Sequence, residues 1–219
     1  EEDQICSLFD SIMRNYPIGT FLFWRVEGKQ KINEYTFYKF LQHYHERDRA
    51  VNEKAADPEL RESIDGVLDG QQRLSSMYIA LQGTYASKRR YARKCANDAY
   101  PKKRLYLNLL GTHDDEESGL QYDFRFLTEE DVLQVNDRHL WFRVSDVLKW
   151  DDNPDIDARY DGLVDDLKVH QNVCEVLKSR KQDVKRTLRT LHEKITREEI
   201  IHLYRLTQQE LDDILDFFI

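Results

Sequence analysis

Apolar residues recur at helical spacing at the start of the chain and then form a short continuous run. A first amphipathic helix is predicted by apolar residues three or four positions apart: Ile5, Leu8, Phe9, Ile12 and Met13. A Pro-Ile-Gly turn follows at 17–19. Residues 20–26 are almost all apolar or aromatic and predict a buried strand. Aromatic residues between 35 and 49 predict a second helix.

The central segment of the chain predicts a strand that turns directly into a helix. Val67 and Leu68 end an apolar strand, and Asp69-Gly70 forms a tight turn. The residues from 72 to about 92 then predict a long helix with an apolar face. The first turn of such a helix has backbone N–H groups without intrahelical acceptors, and the helix dipole is positive there. A phosphate group can therefore bind at this turn.

The remaining pattern predicts a mixed α/β (α+β) fold. Strands are predicted at 104–110 and 121–126 as an antiparallel pair, and further strands at 140–144 and 200–204. A capped helix start lies at 128–131, and three helical segments are predicted at 145–146, from about 157, and from 207 to the end. We expect an α/β core at 1–145 and a mainly helical extension at 146–219 that stops before the rest of the protein.

Composition and charge narrow the class of protein. Hydrophobic residues make up 40% of the chain and charged residues 34%, which predicts a soluble globular protein. The net charge of −8 argues against a protein that coats nucleic acid nonspecifically. The three cysteines have no metal-ligand spacing, and no apolar run reaches membrane-spanning length. We therefore expect reduced thiols, a cytoplasmic location and no membrane partner.

Two charged segments have alternative interpretations. Arg89, Arg90 and Arg93 lie in a basic cluster that is either a solvated helix end or a surface that faces DNA or a nucleotide. The acidic run at 113–116 is interpreted as a solvated hairpin tip, so no metal site is predicted. The chain has no P-loop and no dinucleotide-binding glycine pattern, so any nucleotide must bind in another way.

The strand–turn–helix segment also matches a family signature. The sequence Asp-Gly-Gln-Gln-Arg-Leu-Ser-Ser at 69–76 resembles the DGQQR motif of the N-terminal domain of the GmrSD-type restriction family. The segments at 11–13 (Ser-Ile-Met) and 17–19 (Pro-Ile-Gly) resemble a second family element in the expected order. The resemblance implies a ParB/sulfiredoxin-like core with an attached helical segment, in a prokaryotic restriction or phage-defence protein.

The resemblance also implies a site. It implies nucleotide binding and hydrolysis by this domain, with DNA cleavage carried by a separate nuclease domain or subunit. Carried over, Asp69, Gln72 and Arg73 would be catalytic, and the phosphates would be bound by five residues: Gly70, Gln71, Gln72, Arg73 and Ser75. The implied cofactor is a nucleoside triphosphate, GTP or another, with Mg²⁺. The domain would be a nucleoside triphosphatase and not a nuclease by itself, and DNA would be bound through the full-length protein.

Alternatives remain open at this stage. The chain lacks the Tyr-Gln-Arg…Trp element that the family has before the first helix and the Asn-Ser-Gly-Gly-like element after the last. The alternatives to a hydrolysing domain are a fragment that folds without hydrolysing a nucleotide, a catalytically silent ParB-like scaffold that recognises DNA or a partner protein, and an unrelated α/β protein in which the motif occurs by chance. In the plainest interpretation, Asp69-Gly70 is only a turn and Arg73 only a surface charge.

Overall fold

The computed structural model describes residues 2–48, 52–56, 58, 61–111, 119–167 and 171–208. Helices account for 40% and strands for 22% of these described residues, which confirms the mixed α/β class. The strands form three small sheets. The ParB-like character of the core stays a prediction.

The first sheet has three strands with β1 (Thr20–Glu27) in the centre. Strand β3 (Ser63–Asp69) pairs with β1 in antiparallel orientation, and β8 (His202–Leu206) pairs with it in parallel orientation. The predicted strands at 20–26 and 200–204 are therefore confirmed within the usual uncertainty of their ends. The sheet joins the beginning of the chain to residues almost two hundred positions later.

Both faces of this sheet are covered by apolar side chains. One face packs Trp24 and Val26 against Ile32, the last residue of the short helix α2 (Lys29–Ile32). On the other face lie α1 (Glu2–Met13) and α3 (Gln71–Gln82), two helices that follow from local apolar spacing. The contacts of these helices with β1 form one apolar cluster centred on Ile12, Phe21 and Met77.

The other two sheets continue the fold. The strands β2 (His43–His45) and β4 (Thr84–Ala86) form a parallel pair. In the third sheet β5 (Arg104–Asn108) lies between β6 (Phe124–Leu127) and β7 (Trp141–Arg143), antiparallel to both. The predicted antiparallel pairing of β5 with the following strand is confirmed.

The later part of the chain is mainly helical. A predicted capped start is confirmed at α4 (Glu129–Val132), where Thr128 Oγ1 accepts from the Asp131 N–H and Asp131 accepts from the Thr128 N–H. A 3₁₀ helix and three longer helices follow: Val144–Lys149, α5 (Ile156–Asp166), α6 (Gln171–Ser179) and α7 (Lys181–Thr196). The largest apolar cluster runs from Ile5 to Leu191, so packing is continuous across residue 145. The division into core and extension stays a prediction.

Two predicted helices are corrected by the structure. Residues 35–48 contain no helix, because Tyr44 stacks on Tyr85 at 4.4 Å between ring centroids in the β2–β4 pair. Aromatic residues suit such an extended segment better than a solvent-exposed helix. The helix predicted to reach about 92 ends at Gln82, where Gly83 becomes extended. A Cβ at Gly83 would lie 1.7 Å from the Gln42 carbonyl oxygen, so the chain passes too close for any other residue.

Some predictions concern residues outside those described. The acidic run at 113–116 and the last predicted helix, apart from its first two residues, are among them. Within the described chain, no helix is long and apolar enough to cross a membrane. All three cysteines are free, and burial raises the pKa of the Cys6 thiol to about 12.

Candidate functional site

The DGQQR segment forms the predicted strand–turn–helix. Asp69 is the last residue of β3 and lies opposite Leu22 of β1, next to an irregularity in the pairing. Gly70 then reverses the chain with φ +87° and ψ 8°, and α3 begins at Gln71. The turn is therefore built by one glycine in the left-handed region, which other residues adopt at a cost.

Gly70 is also required by the space around it. A Cβ built on Gly70 would lie 2.3 Å from Cδ1 of Phe21, whose side chain is completely buried. The ring of Phe21 cannot retreat without moving the apolar cluster between α3 and β1. Conformation and packing both select glycine here, and they bring the backbone of the turn close against β1.

The first turn of α3 has the features of an anion site. Gly70 provides no side-chain cap, so the N–H groups of the first helical turn have no side-chain acceptor at that position. The Gln71 side chain folds back, and its Nε2 donates to the Val67 carbonyl at 2.7 Å. Gln72 is exposed, whereas Ser75 is half-buried. An anion approaching the exposed end of α3 meets backbone donors and the amide of Gln72.

Arg73 has a different environment from the one the sequence predicts. Its Nη1 donates to the Ile18 carbonyl at 2.5 Å and its Nη2 to the Thr20 carbonyl at 3.0 Å. The guanidinium lies 4.5 Å from the centre of the Phe21 ring, and the side chain is 31% exposed. The hydrogen bonds of Arg73 thus connect α3 to the chain at the start of β1.

The absence of a side chain at Gly19 leaves room for the Arg73 guanidinium. It adopts φ +84°, and a Cβ there would lie 2.4 Å from Nη1 of Arg73. The two sequence segments that carry the family resemblance, 17–19 and 69–73, are therefore in direct contact. Asp69 completes the arrangement with a carboxylate oxygen 3.5 Å from Arg73 Nη2, and its side chain is 65% exposed.

The predicted site residues therefore separate into groups. Gly70 and the first turn of α3 form the backbone cradle, with Asp69 and Gln72 exposed at its edge. Two of the donors of Arg73 point to backbone carbonyls. The three arginines at 89, 90 and 93 follow the other end of α3. The predicted phosphate-binding residues and these arginines therefore lie on different elements, separated along the chain by the rest of α3 and by β4.

A pair of arginines on the sheet was missed by sequence reasoning. Arg25 binds Asp65 through two hydrogen bonds of 2.9 Å, and Arg205 Nε lies 3.6 Å from the same carboxylate. The hydrogen bond from Arg25, the main cause, and the charge of Arg205 hold the pKa of Asp65 below its usual value, against the opposing effect of burial. Glu27 also interacts electrostatically with Arg25.

This cluster lies on the same sheet face as α3. Side chains alternate along a strand, so Arg25 points to the same side of β1 as Phe21 and Phe23, the face against which α3 packs. In β8, Arg205 lies opposite Phe23. The alternation in β1 could have indicated the position of Arg25 from sequence. Arg205 required the parallel pairing of two distant strands, for which the sequence gives no local signal.

A further cavity is lined by residues other than those of the DGQQR turn. It has a volume of about 660 Å³ and is lined mainly by apolar residues of α1, α3 and the segment before β8, together with Glu198 and Glu199. Its two carboxylates are unsuited to phosphate. Among the described residues, no three His, Cys, Asp or Glu side chains converge as a metal site.

Comparison with known proteins gives one family. The family model described as the N-terminal domain of the GmrSD restriction endonuclease matches residues 1–219. No curated protein matches the chain. The match covers the whole chain, so it includes the segments at 17–19 and 69–73 that the fold brings into contact.

Proposed function

This chain belongs to the GmrSD restriction endonuclease N-terminal domain family, and we propose that it binds a nucleoside triphosphate, GTP or another, at the DGQQR turn. The observation that carries the proposal is the exposed, uncapped first turn of α3, which begins directly after Gly70. In this proposal the bound nucleotide controls a nuclease located on a separate domain or subunit, and DNA is bound by the full-length protein.

The phosphates are assigned to the backbone cradle. The N–H groups of residues 71–73 provide aligned donors at the positive end of the α3 dipole. Arg25 and Arg205 provide cations on the sheet face against which α3 packs, where Asp65 binds Arg25 and lies 3.6 Å from Arg205. Arginine is suited to this role because its planar fork matches phosphate oxygens.

Hydrolysis is assigned to the exposed residues of the same turn. Gln72 is exposed, and in this proposal it orients an attacking water. Asp69 is the one carboxylate of the motif, and it suits a base, a ligand for a sugar hydroxyl or a ligand for Mg²⁺. Nucleotide-bound Mg²⁺ commonly uses one or two protein carboxylates together with the phosphates, so the residues present fit this ion. The ion would neutralise charge on the phosphate oxygens.

Arg73 receives a positioning role in this proposal. Its guanidinium is engaged by the Ile18 and Thr20 carbonyls, so it holds the helix end in place for the phosphates. Ser75 lies one turn further along α3 and is half-buried, so it is assigned at most a secondary contact with a phosphate oxygen.

The second candidate is a catalytically silent scaffold that recognises DNA or a partner protein. It is favoured by the engagement of Arg73, because an arginine bound to two carbonyls has fewer donors for a transferring phosphoryl group. The two candidates differ in one simple outcome. The scaffold predicts no stabilisation by nucleotides and binding of DNA that weakens as salt increases.

Nucleotide binding is tested by thermal unfolding and calorimetry with GTP, ATP, CTP and UTP, each with Mg²⁺. A ligand at about 100 times its Kd stabilises the folded state by about 2.7 kcal/mol, which is a rise of several degrees in Tm. We expect such a rise with at least one nucleotide. We expect Arg205→Gln to weaken binding by about ten-fold or more, because a charged contact is lost.

The matched control is Arg186→Gln in α7, an exposed arginine that also pairs with a neighbouring aspartate. It is expected to leave both Tm and nucleotide affinity unchanged. If none of the four nucleotides raises Tm in the unmodified protein, the proposal is wrong and the scaffold becomes the better account.

A further inference from the structure

The segment between β4 and β5 is a strongly basic, exposed part of the described chain. We call residues 87–99 the basic loop. It contains five basic residues and one acidic residue, Asp98, in a chain whose net charge is −8. Seven of its described side chains are exposed: Arg89, Arg90, Tyr91, Arg93, Lys94, Cys95 and Asp98. The basic loop is therefore locally positive although the chain as a whole is negatively charged.

The basic loop has a defined fold. The Arg89 N–H donates to the Ala99 carbonyl at 2.7 Å, which closes the loop. Alanines at 92, 96 and 99 pack with Ala86 and Tyr100 in a small apolar cluster of their own. Small side chains thus face inward and cationic side chains face outward. The loop is a built surface rather than an irregular connection.

Tyr91 occupies the tip of the loop in an unusual conformation. The Ala92 N–H donates to the Arg89 carbonyl at 3.1 Å, so residues 89–92 form a tight turn. Tyr91 has φ +66° within this turn, a conformation normally taken by glycine or asparagine. Its side chain is 87% exposed, so burial does not compensate for the strain. Such an outlier points to a function that requires the side chain.

The surroundings of Tyr91 indicate what it binds. The Arg90 guanidinium lies 5.1 Å from the centre of the Tyr91 ring. A shallow cavity of about 390 Å³ is lined by this pair together with Arg89, Arg93 and Asp98. Within the described part of the chain, no carboxylate lies within ion-pairing distance of the three arginines. An exposed aromatic face is thus surrounded by three arginines, with Asp98 lining the same cavity and Asp131 interacting electrostatically with Arg89.

We propose that the basic loop binds an unpaired nucleotide of a single-stranded nucleic acid, with Tyr91 stacking on the base and Arg89, Arg90 and Arg93 binding phosphates. Aromatic stacking together with a basic surface is the usual means of binding single strands, because every base has an accessible face. In a duplex that face is covered by the neighbouring bases. The basic loop shares no residue with the DGQQR turn, and the proposal does not depend on nucleotide binding there.

The proposal is tested by fluorescence anisotropy with a labelled oligothymidylate, the matching oligouridylate, and a hairpin duplex of equal length. We expect both single strands to bind more tightly than the duplex, and their ratio identifies the preferred backbone. Tyr91→Ala is expected to weaken single-strand binding by about ten-fold or more, and Tyr91→Phe to restore it. Arg93→Gln is expected to reduce the slope of log affinity against log salt by about 0.7.

Two further variants keep the test decisive. Tyr91→Gly suits the left-handed conformation, so it is expected to keep the Tm while losing binding as Tyr91→Ala does. Tyr38→Ala removes another exposed tyrosine, 56% accessible, and is expected to leave binding unchanged. The proposal is overturned if Tyr91→Ala binds as tightly as the unmodified protein, if the duplex binds better than the single strands, or if neither binds at low salt.

Discussion

Replacing Gly70 by alanine is expected to lower the free energy of unfolding by about 2–5 kcal/mol. One contribution of about 1–2 kcal/mol comes from placing a Cβ at φ +87°. A second of about 1–3 kcal/mol comes from overpacking, because the new atom would lie 2.3 Å from Cδ1 of the buried Phe21. Urea unfolding of the variant and the unmodified protein at the same pH measures the difference.

Gly119→Ala is the matched control. Gly119 also has a positive φ, +67°, but a Cβ there would have no atom within 4 Å. Its cost is therefore expected to be only the conformational contribution of about 1–2 kcal/mol. Equal costs at the two positions would contradict the claim that the DGQQR turn is pressed against Phe21.

Arg73→Ala is expected to destabilise the protein by about 2–3 kcal/mol, even without nucleotide. The variant loses two charge-assisted hydrogen bonds to the Ile18 and Thr20 carbonyls and the contact with Phe21. The expected loss is smaller than the sum of two such hydrogen bonds, because the side chain is 31% exposed and water can replace part of the lost hydrogen bonding. Thermal unfolding is expected to show a Tm lower by several degrees.

Arg73→Lys distinguishes the positioning role from a purely electrostatic one. Lysine keeps the charge but lacks the planar fork that reaches both carbonyls. We therefore expect Arg73→Lys to lose a large part of the stability that Arg73→Ala loses. The opposite result, in which Arg73→Ala keeps its Tm but loses nucleotide binding, would identify the guanidinium as a phosphate ligand and contradict the role assigned to it.

Local signals predicted the parts of the fold that depend on neighbouring residues. The first helix, β1 and the β3–turn–α3 unit follow from apolar spacing and one glycine, and all are confirmed. The capped start at Thr128 is confirmed for the same reason, since its two hydrogen bonds join residues three apart. Both partners of each hydrogen bond lie within a few residues of each other, so a short sequence pattern is enough to predict them.

The features that sequence reasoning missed depend on contacts between residues that are far apart in the chain. Residues 35–48 contain no helix, and their strand β2 pairs with β4, which is about forty residues away. Nothing near Arg73 in the sequence shows that the Ile18 and Thr20 carbonyls accept its hydrogen bonds. The motif at 69–73 identified the turn correctly, but the role of its arginine depends on a turn more than fifty residues earlier.

The most direct test of the central claim is the change in backbone amide signals of the ¹⁵N-labelled protein when a nucleoside triphosphate with Mg²⁺ is added. We predict that the amides of Gln71, Gln72 and Arg73 shift together in a saturable way, with further changes at Arg25 and Arg205. The backbone N–H groups of residues 71–73 and the guanidinium groups of Arg25 and Arg205 would lie nearest the phosphates. Saturable shifts confined to other parts of the chain, or no shifts with any of the four nucleotides, would contradict a phosphate site at the DGQQR turn.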